Sequence, residues 1–207
     1  MAWSFTRNRC RGHEFTQFMI RIAVLGGIGS GKTYIAKLFN FPVFNADLEV
    51  AKIYKNNRQC FKKLKKKLPE YFLSFPVKKD QIIRAITNNE ENLKEITKII
   101  HPEIRKKMHI FLKNNKKNKV VVLDIPLFLE NKLNKKSDIL IFIQSNKSET
   151  IKRLKKRDNF NIDLFKKFKK IQLPLSFKKN KSNYIIKNNF RKKPVRQRVE
   201  RILKKII

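Results

Sequence analysis

The sequence predicts an α/β fold in which a parallel sheet carries helices on both faces and a helical lobe is inserted into the chain. Three observations predict it. Short all-apolar runs suited to buried parallel strands alternate with helical stretches. Four of the chain's five glycines crowd into residues 26–31, directly after the first such run and directly before a helical pattern. Residues from about 48 to 118 contain no convincing strand pattern and read as consecutive helices.

Residues 1–18 differ in character from the remainder of the chain. They hold the only Trp, Trp3, three of the 13 Arg, no Lys and one Glu, with no clear apolar period. Three readings are open: an upstream extension ahead of a natural start at Met19, a short Arg-bearing, acid-poor targeting peptide, or a disordered tail. The apolar stretch of roughly 7–15 residues that a secretory signal requires is missing. From Met19 the order is strand, glycine loop, helix. Ile22–Leu25 is the first buried strand, residues 26–31 the loop, and Lys32–Asn40 a helix with Ile35, Leu38 and Phe39 at helical spacing. Pro42 closes that helix and Val43-Phe44 starts a second strand. Helices are predicted over Leu48–Tyr54, Gln59–Leu68, Asp80–Ile86, Glu91–Ile100 and Pro102–Leu112. Val120–Leu123, ending at Asp124, and Asp138–Ile143 are the next strands. Glu149–Arg157 and Leu164–Gln172 are basic helices, Tyr184–Ile186 is the last strand, and Val195–Ile206 is a C-terminal amphipathic helix. The expected organisation is one domain over 19–207. Its core is 19–47 with 119–207, its helical lobe about 48–118, and its lid about 150–175.

The 207 residues suffice for one domain with a buried core. The longest run without Lys, Arg, Asp or Glu is ten residues, Ile22–Gly31, whereas a membrane-spanning helix needs roughly 20 apolar residues. Two cysteines, Cys10 and Cys60, argue against a disulfide framework or a multi-Cys zinc site and for a reducing, cytoplasmic setting. The net charge of +35 has two readings. One is an anionic partner such as nucleic acid. The other is biased composition: Lys, Asn and Ile make up 83 residues, against 6 Ala and 5 Gly. A phosphate reader is expected to favour Arg over Lys, because the guanidinium fork matches phosphate geometry, yet the chain has 38 Lys and 13 Arg. Composition is the better account, and no nucleic-acid or membrane partner is expected.

Gly26-Gly27-Ile28-Gly29-Ser30-Gly31-Lys32-Thr33 satisfies the G-x-x-x-x-G-K-[ST] pattern in full. Glycine permits left-handed backbone and close approach, so consecutive amides can wrap phosphate oxygens while the following helix adds its positive end. The predicted nucleotide cradle therefore runs through Gly27, Ile28, Gly29, Ser30, Gly31, Lys32, Thr33 and Tyr34. Lys32 is expected on the β- and γ-phosphates of ATP, and Thr33 on Mg²⁺. This is a P-loop NTPase fold. No Asn-Lys pair is followed by Asp at the spacing of a guanine-reading motif. A core of this size suits a small-molecule kinase.

Several further stretches, in order along Met19 to about Asn188, resemble the dephospho-CoA kinase family. The loop Leu25-Gly-Gly-Ile-Gly-Ser-Gly-Lys-Thr33 is similar to the family's T-G-G-I-G-S-G-K-S, and Val43-Phe-Asn-Ala-Asp47 to its V-I-D-A-D. Ile99-Ile-His-Pro-Glu-Ile-Arg105 resembles L-H-P-x-I-R, and Val121-Val-Leu-Asp-Ile-Pro-Leu-Phe-Leu-Glu130 resembles V-V-L-D-I-P-L-L-F-E. Arg153-Leu-Lys-Lys-Arg157 resembles the lid pattern R-L-x-x-R. Gln172-x-Pro174-x3-Lys178 leads into Ser182-Asn-Tyr-Ile-Ile-Lys-Asn188, similar to A-D-y-V-I-d-N. Three positions depart from these patterns. Asn45 replaces the first Asp of D-A-D, Thr150 a Gln, and Asn183 the Asp of A-D.

The resemblance implies transfer of the ATP γ-phosphoryl group to the ribose 3′-hydroxyl of dephospho-CoA, the last step of coenzyme A synthesis. ATP and dephospho-CoA would be its small-molecule partners, with the chain a monomer or weak homo-oligomer. Asp47, just past the second strand, is the expected proton acceptor; an N-cap role is the other reading. Asp124 is expected to hold Mg²⁺ with Thr33, or else to cap the strand end. Pro126 and Leu127 are expected on the acceptor side, and Glu130 either there or supporting the groups that bind. His101 and Arg105, four apart on a helix begun by Pro102, either contact the acceptor or pack structurally. Arg153 and Arg157 either reach the phosphates from the lid or belong to a solvated face. Rival readings are another P-loop metabolite or nucleoside-monophosphate kinase, disfavoured because D-G-F-P-R is absent, and a basic nucleic-acid-binding ATPase.

Overall fold

The computed structural model describes residues 19–156 and 160–207. The readings of residues 1–18 and of Arg157 lie outside the described residues. Five strands, β1 (Ile20–Gly26), β2 (Val43–Asn45), β3 (Val120–Asp124), β4 (Ile139–Ser145) and β5 (Tyr184–Asn188), form one sheet in the order β2-β3-β1-β4-β5. Every pairing is parallel. The helices are α1 (Lys32–Leu38), α2 (Ala46–Asn56), α3 (Arg58–Lys67), α4 (Lys79–Asn88), α5 (Glu90–Asn114), α6 (Lys147–Lys155), α7 (Ile162–Lys170), α8 (Leu175–Asn180) and α9 (Lys192–Ile206).

The pleat divides the core in two. Ile22 and Val24 of β1 face Ile35 and Ala36 of α1, Phe39 at its C-terminal end, and Val195 and Val199 of α9. Ala23 and Leu25 face the opposite way, into a larger cluster with Ile53, Leu64, Ile96, Ile100 and Phe128. Successive strand residues thus serve opposite layers, so β1 is apolar at nearly every position. Since β1 lies between β3 and β4, its C-terminal loop opens over the middle of the sheet, at the carboxyl edge where open α/β sheets bind ligands.

The lobe corrects one expectation. Two helices meeting at Pro102 are predicted, but α5 runs unbroken for 25 residues with Pro102 inside it. Pro102 removes one intrahelical hydrogen bond and costs on the order of 3 kcal/mol. Ile96, Ile100, Ile104 and Met108, spaced by four on either side of it, are each at most 7% exposed. Burying four such side chains is worth roughly 1.5–3 kcal/mol apiece, so the continuous stripe outweighs the proline. The six-residue α8 is not anticipated from the sequence; it is too short to show a period, and it follows Pro174 at its N-cap.

Candidate active site

The loop after β1 is held open by its glycines and closed from behind by its neighbours. Gly29 and Gly31 have φ of 76° and 90°, the left-handed region. A Cβ on Gly29 would stand 2.8 Å from Leu154 Cγ of α6, and one on Gly31 would collide with Asn188 Nδ2. That Asn188 amide donates to Ser30 O at 2.8 Å, tying the loop to the end of β5. Lys32 is 9% exposed, and its Nζ donates to Gly26 O (3.2 Å) and Gly27 O (2.8 Å). Burial lowers its pKa to about 8; Asp124 opposes the fall and Lys178 adds to it. Ser30 Oγ is buried with no hydrogen-bond partner among the described residues, whereas Tyr34 stands 41% exposed on α1.

Asp124, at the end of β3 and 3% exposed, receives two hydrogen bonds on Oδ2, from Thr33 Oγ1 and Asn45 Nδ2, each 2.6 Å. The carboxylate and hydroxyl at the phosphate loop are hard oxygen donors, which fit a Mg²⁺ ion shared with a nucleotide. Among the described residues no group of three His, Cys, Asp or Glu could hold a metal by itself. Asn45, not Asp47, caps α2: its Oδ1 accepts from Leu48 N at 2.8 Å. Asp47, in the first turn, is thereby left to face the cavity.

That cavity measures about 520 Å³. Its walls combine Ile28 of the phosphate loop, Asp47 of α2, His101 and Arg105 of α5, and Pro126 and Leu127 after β3. Most of the remaining wall is apolar, with Ile82, Ile86 and Ile104 from the lobe and Leu164, Phe165 and Phe168 from α7. Although solvent reaches Asp47 through the opening, the surrounding protein and then the charge of Asp124 raise its pKa above the usual carboxylate value, against the pull of Lys32. Burial and Arg105 lower the pKa of His101, so its ring is neutral near pH 7. The α7 helix rests on the lobe. Lys167 Nζ donates to Ile86 O and Thr87 O at 2.7 and 2.8 Å, and Lys170 pairs with Glu90 at 3.0 Å.

Two expected residues sit elsewhere. Glu130 is not on the cavity wall. Its Oε1 takes the fully buried Lys178 ammonium at 2.6 Å and the Leu173 amide at 3.0 Å, joining the segment after β3 to α8. Arg153 does not enter the cavity either: Nε pairs with Glu149 at 2.9 Å and the guanidinium lies 4.4 Å over the Phe190 ring. Missed from the sequence were the α7 aromatics on the cavity wall, the Glu130–Lys178 pair and the loop tether of Asn188. Lys178 and Asn188 do lie within the stretch Gln172–Asn188, but nothing local gave them a partner.

A phosphate loop, a strand-end carboxylate hydrogen-bonded to its threonine and a roofed acceptor cavity define a P-loop kinase of small molecules. Residues 20–193 match the model of the dephospho-CoA kinase family, and the chain belongs to that family. A dephospho-CoA kinase from Wolbachia sp. subsp. Brugia malayi (strain TRS) is 30% identical over 189 residues, covering 88% of this chain and 95% of its relative. The structure of dephospho-CoA kinase from Campylobacter jejuni is similar with a TM-score of 0.58 and 27% identity, over 90% of this chain and 96% of that one. A Thermus thermophilus protein shares the fold with a TM-score of 0.75 at 22% identity, over 91% and 98% of the two chains. Among the described residues no helix is long and apolar enough to cross a membrane.

Proposed function

We propose that this chain phosphorylates the ribose 3′-hydroxyl of dephospho-CoA with ATP, releasing coenzyme A and ADP. One observation carries the reading: Ile28 of the phosphate loop and Asp47 of α2 line the same cavity, so donor phosphates and an acceptor hydroxyl meet in one space. The loop amides from Gly27 to Thr33 bind the phosphates. Lys32 leaves the carbonyls of Gly26 and Gly27 for the stronger negative charge of the nucleotide. Thr33 and Asp124 would hold Mg²⁺, which would supply positive charge beside the nucleotide's phosphates. Asp47 accepts the proton of the attacking hydroxyl, and its raised pKa brings it nearer the range in which a base works at neutral pH. His101, Arg105, Pro126 and Leu127 line the acceptor side. The mainly apolar wall suits a nucleotide bearing a long, weakly polar arm better than a compact, highly charged acceptor.

The test is coupled ADP release with dephospho-CoA, AMP, CMP and shikimate in parallel, alongside ATPase activity with and without RNA. Turnover with dephospho-CoA at least a hundredfold above every other acceptor is expected. Faster turnover with a nucleoside monophosphate, or RNA-stimulated ATPase as the sole activity, would overturn the proposal.

A further inference from the structure

The chain places an uncharged side chain where the cation site meets the acceptor site. Asn45 ends β2 directly opposite Asp124 in the parallel register. Both ends of its amide are engaged: Oδ1 accepts from Leu48 N at 2.8 Å, and Nδ2 donates to Asp124 Oδ2 at 2.6 Å. Because an N–H faces one end and a carboxylate the other, only one orientation of the amide satisfies both partners. With Thr33 donating to the same oxygen, the buried Asp124 carboxylate is held by two neutral donors. A buried carboxylate otherwise needs a countercharge or donors. Here the neutral donors meet part of that need before metal or nucleotide arrives.

We infer that Asn45 is a positioning residue that sets how strongly this site demands a divalent cation. It holds the metal-binding carboxylate in place while adding no charge, so Asp124 is the one carboxylate in the Thr33–Asn45–Asp124 group. Ligand charge count is a main determinant of how tightly a hard cation binds. The protein's own hydrogen bonds accordingly set the position of the carboxylate, and the group binds the cation weakly unless nucleotide phosphates add their oxygens. This inference rests on the assignment of Asp124 to the cation in the proposed function.

The experiment uses Asn45→Asp in the full chain. Asp caps a helix about as well as Asn, so the substitution isolates charge and the lost donor. Asn45→Ser keeps a neutral cap but shortens the reach to Asp124. Mn²⁺ binding is measured at pH 8 by electron paramagnetic resonance in the presence of ADP, and melting temperature is read in EDTA and in Mg²⁺. In Asn45→Asp, Mn²⁺ should bind on the order of tenfold more tightly. Its melting temperature should fall in EDTA, where two carboxylates face each other, and recover in Mg²⁺. Asn45→Ser should melt lower in EDTA without the tenfold gain. If Asn45→Asp binds Mn²⁺ within twofold of the wild type, the inference is wrong. An Asp124→Asn control separates the two claims. Mn²⁺ affinity unchanged by Asp124→Asn would sink the cation assignment itself, whereas affinity lost there but unmoved by Asn45→Asp would sink only the role of Asn45.

Discussion

Lys32 offers a test in which the magnitude comes from its surroundings. The ammonium is 9% exposed and has two backbone carbonyls and, among the described residues, no carboxylate in direct contact. Burial is the main reason its pKa drops from 10.5 to about 8. The unfolded chain keeps this proton up to pH 10.5 and the folded chain loses it near pH 8. Between those values the unfolded state binds more protons, so stability rises with pH. The whole effect is absent below pH 8 and complete above 10.5. At about 1.36 kcal/mol per pH unit it amounts to about 3 kcal/mol, of which about 2 kcal/mol accrues between pH 7.5 and 10. Lys32→Met removes the titrating group. The 37 other lysines are common to both proteins, so the quantity to measure is the difference between wild type and variant in urea unfolding at the two pH values. Wild type should gain about 2 kcal/mol more than Lys32→Met on going to pH 10. Parallel behaviour of the two proteins would refute the claim that this ammonium sits at a cost until phosphate arrives. The variant should also have lost phosphoryl transfer while keeping its circular dichroism spectrum.

The site geometry sets two further outcomes. Asp47→Asn should lower kcat by roughly 10²–10⁴-fold, the usual share of a positioned base, with ATP affinity unchanged. Because Asn45 and not Asp47 caps the helix, the melting temperature should barely move; a near-wild-type rate would remove Asp47 from the mechanism. Its raised pKa also has a sign: activity is lost as pH falls through it, so the acid limb of kcat/KM should lie above the ordinary carboxylate value of about 4. Gly29→Ala should abolish ATP binding measured by calorimetry and destabilise by on the order of 1–3 kcal/mol, from left-handed backbone strain and the contact with Leu154. Unimpaired ATP binding in that variant would show that the loop has another shape.

What the sequence made legible was whatever is local. The loop from Gly26 to Thr33 carries its glycines, its lysine and its helix start within a few residues, and β1, β3 and β4 announce themselves as apolar runs. What stayed hidden depends on separation along the chain. For Glu130 the sequence leaves an acceptor-side and a supporting place open, and only Lys178, on a six-residue helix without a period of its own, shows which group it holds. Arg153 reads as a phosphate ligand until Phe190, 37 positions away, is found beneath its guanidinium. Pro102 misleads in the opposite sense, since its local rule is sound but the buried stripe from Ile96 to Met108 overrides it.

The three positions that differ from the family patterns divide by the same reasoning. Asn183 accepts from Leu140 N through Oδ1 at 2.8 Å while its backbone amide donates to Leu140 O at 2.8 Å, extending the register between β4 and β5. An Asp carboxylate oxygen could accept from Leu140 N in the same way, so the loss of charge there changes little. Thr150 turns its hydroxyl to Asn146 O at 2.7 Å and Ser145 Oγ at 3.0 Å, and its methyl stands where a Cβ on Gly29 would come within 2.9 Å. A short side chain that satisfies itself locally leaves the phosphate loop its space. Asn45 alone changes the charge beside the carboxylate proposed to hold a cation, because its amide touches Asp124 directly. Of the three, it is therefore the position where restoring a carboxylate should alter what the site binds, whereas the same exchange at Asn183 should leave cation affinity untouched.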